Sequence, residues 1–281
     1  MPSDRIKSYA KINFALNITG KTSFFHKIES IIFFVLLHDS ILIRKIKSKK
    51  HKISFSGKFS ANISNNNTVS KLLRLLEKRK LLTNKKFEIK INKRVPSKAG
   101  LGGGSMNAAN ILRYFVQKKI IKITKKETIE ICKLIGSDVI LGLNSTSSIL
   151  TSKNEIKYFS KIKRFHTLIV KPNFGCATKD VYSKVRKFNK PKLNQPSKKM
   201  FDSIFLKKMN NNLEPIAFTM YSKLKTIKLY LENLLQPDFV RMTGSGSALV
   251  AYYQSKARCK NAEKIFSEKY TNYWCISSKT I

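Results

Sequence analysis

The stretch Val95–Phe115, VPSKAGLGGGSMNAANILRYF, places four glycines in five residues of a 281-residue chain that has only 11. Alternating Phe87, Ile89 and Ile91 before it predict a strand, and Ala108, Leu112 and Phe115 after it share one face of a predicted helix. Strand, glycine loop and helix in that order suit a phosphate group. Backbone N–H groups converge there and the helix N-terminus adds positive potential. Glycine is required where a side chain would block the phosphates or where φ must be positive. The stretch is neither G-x-x-x-x-G-K-[ST] nor a dinucleotide fingerprint, because Ser105 follows the glycines directly. Taken alone, a tight turn with close helix packing explains the glycines equally well.

Other residues could act with this loop. Asp138, in IGSDV, follows a helix predicted over KKETIEICKLI and ended at Gly136, and could serve as a general base or be a solvated loop carboxylate. Gly244, Ser245 and Gly246, in RMTGSGSAL, form a second candidate backbone nest. Asn67 could cap the helix that begins at Thr68-Val69.

The elements that position these groups can be read from periodicity. YAKINFALNI alternates as a strand, and KIESIIFFVLLHDSILIRKI reads as one or two more, the second starting after His38-Asp39. Val69, Leu72, Leu73 and Leu76 predict a helix. Beyond residue 150 come a strand in FHTLIVKP, helices in TKDVYSKVRKF and IAFTMYSKLKTIKLYLENLL, and a strand–turn–strand in DFVRMTGSGSALVAYY. A helix in KARCKNAEKIFSEKY and a strand in YWCISS close the chain. Lys187–Met200, with two prolines among polar residues, reads as a mobile loop. The fold class is α+β, in two lobes, 1–150 and 151–281.

Composition narrows the function. The longest apolar run, Ile31–Leu37, is far too short to span a bilayer, and the N-terminal residues lack the apolar core of a signal peptide. Four scattered cysteines form no C-x-x-C pair, which argues against zinc and disulfides and for a reducing cytoplasm. The formal charge of +40 admits a basic RNA-binding protein. However, only 10 of the 56 cations are Arg, and the lysines are dispersed among abundant Asn and Ile. That is the mark of AT-rich coding, so no specific nucleic-acid partner is expected, nor a membrane.

PSKAGLGGGSMNAA resembles the phosphate loop of the GHMP kinases. AKINFALNITGK…FFHKIESI, IGSDV, NNLEP and RMTGSGSAL resemble further blocks of that family, in family order across nearly the whole chain. The resemblance implies an N-terminal lobe of ribosomal-protein-like βαβ topology, a ferredoxin-like C-terminal lobe and an active site in the cleft between them. It implies ATP and Mg²⁺ as cofactors and a monomer or weak dimer. The implied catalytic pair is Lys11 with Asp138. The implied nucleotide site comprises Asn67, Pro96, Ala99, Gly100, Leu101, Gly102, Gly103, Gly104, Ser105 and Asn107. The triple glycine and the Phe25-His26 pair point, within the family, to a member phosphorylating the 2-hydroxyl of a cytidine-diphosphate-linked methylerythritol. In that member Phe25 and Tyr182 would stack on cytosine and His26 bind its edge. Asn13 and Thr178 would hold the methylerythritol or diphosphate, with Gly244, Ser245 and Gly246 facing the acceptor. No protein metal site is expected. Alternatives are a homoserine- or mevalonate-type relative and the RNA-binding reading. Departures from the family pattern are Phe25 for Tyr, Lys98 and Ala99 for residues often Gly, Met106 for Ser, Ile140 for Pro and Asn212 for Asp.

Overall fold

The computed structural model describes residues 3–23 and 25–281. Its strands and helices run, in chain order, β1 (Ser3–Lys21), β2 (His26–Ile46), β3 (Lys52–Ser56), α1 (Thr68–Lys78), β4 (Lys86–Asn92), α2 (Gly103–Gln117), α3 (Lys125–Ile135), β5 (Ser148–Leu150), β6 (Ile156–Tyr158), β7 (His166–Lys171), α4 (Thr178–Ser183), α5 (Ser203–Lys208), α6 (Glu214–Met220), α7 (Ser222–Glu232), β8 (Phe239–Met242), β9 (Leu249–Tyr253), α8 (Lys256–Lys269) and β10 (Trp274–Lys279). They form two compact units. The first holds the chain up to Ala10, Leu37–Pro96 and Gly102–Ser145; the second holds Lys11–Leu36, Ser97–Leu101 and Thr146–Ile281. The long strands β1 and β2 and the glycine loop each contribute a segment to both.

In the first unit β4 pairs antiparallel with the Ser40–Ile46 part of β2 and parallel with β3. Its core joins Ile41 and Ile43 of β2, Phe87, Ile89 and Ile91 of β4, and the apolar stripe Val69, Leu72, Leu73 and Leu76 of α1. The stripe explains why a lysine-rich segment folds: one face is apolar and the cations stay on the other. α2 differs, since every residue from Met106 to Leu112 is buried. A helix enclosed on all sides must be small somewhere, and Ala108 and Ala109 provide that.

In the second unit β10, β7, β9 and β8 form an antiparallel sheet in that order. Its inner face carries Leu168, Val170, Leu249, Ala251 and Tyr253, packed with Leu224, Ile227 and Leu231 of α7 and Phe266 of α8. A separate aromatic cluster stacks Phe14 on Phe33 with ring centroids 4.0 Å apart, and adds Phe165 and Tyr252.

One sequence alternative is decided and one expectation is corrected. Of the one or two strands expected around His38-Asp39 a single one forms, and β2 runs unbroken from His26 to Ile46. Asp39 is fully buried there and satisfied by hydrogen bonds, so a charged residue inside the strand is tolerated. The segment Lys187–Met200 has almost no regular structure but is fastened: the Glu29 carboxylate accepts from the backbone N–H of Lys192 (2.6 Å) and Leu193 (3.0 Å).

Candidate active site

In the first unit, the glycine-loop helix α2 starts after Gly102, whose φ of +70° is left-handed and which supplies no side-chain cap. A helix leaves its first N–H groups without intrahelical partners, so a bare glycine start keeps those donors available to a ligand. Asp39 fixes the two chain segments flanking the loop. Its carboxylate pairs with Lys93 and accepts from the N–H of Arg94 and Val95, both at 2.8 Å, and from Asn107 Nδ2 at 2.9 Å. Asn107, expected to bind nucleotide, therefore ties α2 to Asp39, and its Oδ1 is buried without a hydrogen-bond partner. Pro96 is buried just before the loop.

The adjacent glycines answer to different constraints. A Cβ on Gly103 would lie 3.1 Å from Lys93 Nζ and from Val95 Cγ1, so Gly103 sits in a tight space between two side chains. Gly104 is exposed, and a Cβ there would approach only the Thr68 hydroxyl, at 3.1 Å. Thr68 donates to the Gly104 carbonyl at 2.7 Å, joining the start of α1 to the start of α2, and the next residue, Ser105, is half-buried. Asn67 is the N-cap of α1. Its Oδ1 accepts from Val69 and Ser70 N–H, both at 3.0 Å, and its Nδ2 donates to Ser64 O at 2.9 Å. Of its two sequence readings, the cap is the one the hydrogen bonds describe.

Asp138 follows Gly136 and heads a 3-10 turn, Val139–Leu143, with its own side chain half-buried. That turn is set against α2 by Gly142, where a Cβ would fall 2.7 Å from Ala109 Cβ and 3.0 Å from Met106 Sδ. Gly142 thus positions the carboxylate-bearing turn relative to the loop helix. Met106, which replaces a family Ser, fills the buried space beside it. Sequence reasoning missed Gly142 because a lone glycine outside a motif carries no signal of what approaches it.

In the second unit, every carbonyl from Lys98 to Leu101 is engaged. Ser247 N–H donates to Lys98 O and Ala248 N–H to Ala99 O, both at 3.3 Å, while Thr243 Oγ1 donates to Gly100 O and Lys11 N–H to Leu101 O, both at 3.1 Å. In a trans peptide the carbonyl and the next N–H point in opposite directions. The N–H groups of Ala99, Gly100 and Leu101 are therefore turned away from these partners. Gly100 has φ +71° and Lys98 φ +51°. The left-handed region costs a non-glycine residue about 1–2 kcal/mol, which accounts for the family's use of Gly near Lys98.

Lys11 is buried and donates from Nζ to Asn13 Oδ1 at 2.7 Å, and Asn13 Nδ2 donates to Ser30 Oγ at 2.8 Å. Thr178 Oγ1 and Ser245 Oγ, two residues named from sequence, lie 2.9 Å apart. The Gly244–Gly246 turn is held by Asn211, whose Nδ2 donates to Met242 O (2.7 Å) and Gly244 O (2.8 Å). Glu214 adds a carboxylate that accepts from Met242 N–H at 2.6 Å. The NNLEP block is thus a brace for the turn. In the same block Asn212 Oδ1 accepts from Ile18 N–H at 2.9 Å, an acceptor that a carboxylate at this position would also supply.

Phe25, between β1 and β2, is 72% exposed. The rings of His26 and Tyr182 lie 5.1 Å apart at 43°. His26 Nε2 is buried without a hydrogen-bond partner. Burial, and after it the charge of Lys21, lowers the His26 pKa below the ordinary imidazole value. The group is a neutral imidazole at neutral pH. Among the described residues no group of three or more His, Cys, Asp or Glu is placed to hold a metal ion, and no helix is long and apolar enough to cross a membrane.

Residues 67–150 match the model of the GHMP kinases N terminal domain. The whole chain is 55% identical over 281 residues to the 4-diphosphocytidyl-2-C-methyl-D-erythritol kinase of Pelagibacter ubique, covering all of both proteins. It is 31% identical over 289 residues to the same-named kinase of Clostridium tetani, covering 99% of this chain and 100% of that one. Among solved structures, a 4-(cytidine 5'-diphospho)-2C-methyl-D-erythritol kinase superposes with a TM-score of 0.79 at 20% identity, covering 99% of this chain and 100% of the other. A homoserine kinase from Cytophaga hutchinsonii superposes at 0.71 and 16% identity, covering 100% of this chain and 95% of the other. The fold is the GHMP kinase fold, and the chain belongs to the 4-diphosphocytidyl-2-C-methyl-D-erythritol kinase family.

Proposed function

We propose that the protein is an ATP-dependent kinase that phosphorylates the 2-hydroxyl of 4-(cytidine 5'-diphospho)-2-C-methyl-D-erythritol, in the non-mevalonate route to isoprenoid precursors. The observation that carries this is the 55% identity, over the full length of both chains, to a kinase of that name. Within the molecule, the glycine loop supports it: backbone donors with no competing side chain at the start of α2 suit a nucleotide's phosphates. Phosphoryl transfer asks little covalent chemistry of a protein and depends on positioning and charge.

The assigned roles follow that requirement. The N–H groups of Ala99 to Ser105 cradle the phosphates, and the Ser105 hydroxyl lies by phosphate or Mg²⁺. A metal that arrives with the nucleotide fits this chain, because Mg²⁺ is commonly held by substrate phosphates and one or two protein groups rather than by an all-protein cage. When bound, it neutralises phosphate charge. Asp138 accepts the proton of the acceptor hydroxyl, and Lys11 polarises that hydroxyl and orients the base. Thr178 and Ser245, already joined to each other, bind the acceptor's methylerythritol or diphosphate. Asn13, whose amide is engaged by Lys11 and Ser30, shapes the same region. Phe25, His26 and Tyr182 take the cytosine. The protein acts without a specific nucleic-acid partner, in the cytoplasm.

The test is ADP release by the purified protein with three acceptors: the cytidine-linked methylerythritol, homoserine and mevalonate. Turnover with the first alone is expected, falling about 10²–10⁴-fold in Asp138→Asn. Turnover with either of the others, or full activity in the Asn variant, would overturn the substrate or the base respectively.

A further inference from the structure

Three positions of the glycine loop have a left-handed backbone, and two of them, Gly100 and Gly102, are glycines. The third is Lys98, with φ +51°, where the family often has Gly. Glycine adopts this conformation freely and a residue with a Cβ does so at a cost. A lysine here lowers stability relative to glycine, so its side chain must offer something that offsets the loss.

That side chain has a bed built for it. A Cβ on Gly175 would fall 2.8 Å from Lys98 Cβ, 3.2 Å from Lys98 O and 3.5 Å from Lys98 Cδ. The φ of Gly175 is not left-handed, so the missing side chain there serves space and not backbone freedom. The aliphatic stem of Lys98 lies along Gly175, three residues before Thr178, the first residue of α4. The backbone of Lys98 is fixed as well, since its carbonyl accepts from Ser247 N–H at 3.3 Å. Ser247 follows the turn whose Ser245 Oγ lies 2.9 Å from Thr178 Oγ1.

Thr178 and Ser245 offer neutral hydroxyls, whereas a diphosphate is a multiply charged anion that an ionised donor binds roughly twice as strongly. Other lysines close in sequence to these residues are engaged: Lys171 Nζ donates to Pro172 O at 2.8 Å and Phe174 O at 3.0 Å, and Lys93 pairs with Asp39. Lys98 is exposed, and a lysine ammonium on a long stem acts as a point charge suited to phosphate. We propose that Lys98 binds the acceptor's diphosphate, supplying beside Thr178 and Ser245 the positive charge that their hydroxyls lack. This deepens the acceptor reading of the Thr178–Ser245 pair and rests on it.

The experiment measures calorimetric binding of cytidine 5'-diphosphate, with a non-hydrolysable ATP analogue filling the nucleotide site, together with KM for acceptor and for ATP. The proteins are the wild type, Lys98→Gln, Lys98→Arg, Lys98→Gly and, as a control for bulk charge, Lys179→Gln. Lys98→Gln keeps the stem and removes the charge. It is expected to weaken cytidine diphosphate binding and raise the acceptor KM about 5- to 13-fold, the span from an exposed ion pair to a charged hydrogen bond. The ATP KM should not move. Lys98→Arg should retain most of the affinity. Lys98→Gly, which relieves the backbone, should lose as much as Lys98→Gln without any fall in Tm, and Lys179→Gln should bind as wild type does. Wild-type protein that fails to bind cytidine diphosphate would overturn the acceptor reading beneath the proposal. Wild-type binding that Lys98→Gln leaves unchanged, an equal loss in Lys179→Gln, or an ATP KM that rises as much as the acceptor KM would overturn this inference alone.

Discussion

Replacing Gly100 with Ala tests whether the glycine loop is built as described. Two costs can be worked out. At φ +71° an L-residue is strained by about 1–2 kcal/mol. The added Cβ would sit 1.9 Å from the Thr243 carbonyl oxygen and 2.8 Å from its carbon. Ordinary contact begins near 3.4 Å, so backbone must move by about 1.5 Å, and overpacking of this kind typically costs about 1–3 kcal/mol. Such a shift would also stretch the Thr243 Oγ1 bond to Gly100 O and the Ala248 N–H bond to Ala99 O, at about 1 kcal/mol for one bond lost. The sum is roughly 3–6 kcal/mol, or about 6–12 °C in Tm at roughly 2 °C per kcal/mol for a chain of this size. Thermal unfolding followed by circular dichroism measures it, with Gly104→Ala as the control because Gly104 is exposed and faces no backbone. A Gly100→Ala protein melting within about 2 °C of wild type, against the 6 °C or more expected, would refute the close approach.

Three further outcomes are expected. Gly104→Val should leave Tm nearly unchanged and raise the ATP KM sharply, as its side chain would stand at the start of α2, where the proposed phosphate site lies; steady-state kinetics with ATP varied checks it. Because burial lowers the His26 pKa, the imidazole is neutral above its ordinary value of about 6.5 and gains a proton only below it. The acceptor KM should therefore be flat from neutral to mildly alkaline pH and rise only at acid pH, read from a pH series with the ATP KM as reference. RNA or DNA should bind weakly to the +40 chain and lose affinity steeply with salt; filter binding at two ionic strengths would show it, and tight sequence-selective binding at physiological salt would count against an incidental charge.

What was legible in the sequence followed from periodicity and local chemistry. The stripe of α1, the alternation of β4 and the strand–turn–strand around Gly244–Gly246 repeat along the chain, and all three elements are present. The family resemblance, carried by collinear blocks, is matched by a full-length relative. What was hidden depends on contacts between distant residues. Four glycines look alike as letters, yet Gly100 meets a carbonyl, Gly103 meets Lys93 and Val95, and Gly104 meets little. Whether the strand breaks at Asp39 stayed open in the sequence because nothing local announces that Lys93, Val95 and Asn107 will surround it. The Lys187–Met200 segment looked mobile because its anchor, Glu29, lies about 160 residues away in the chain and long-range pairing leaves no periodic trace.

The most direct measurement is ³¹P nuclear magnetic resonance of the purified protein incubated with ATP, Mg²⁺ and 4-(cytidine 5'-diphospho)-2-C-methyl-D-erythritol. A new phosphomonoester resonance should grow in step with ADP while the acceptor's diphosphate signals persist, as phosphorylation of the 2-hydroxyl requires. Loss of the diphosphate signals, or ADP formation with only inorganic phosphate as the other product, would contradict the account.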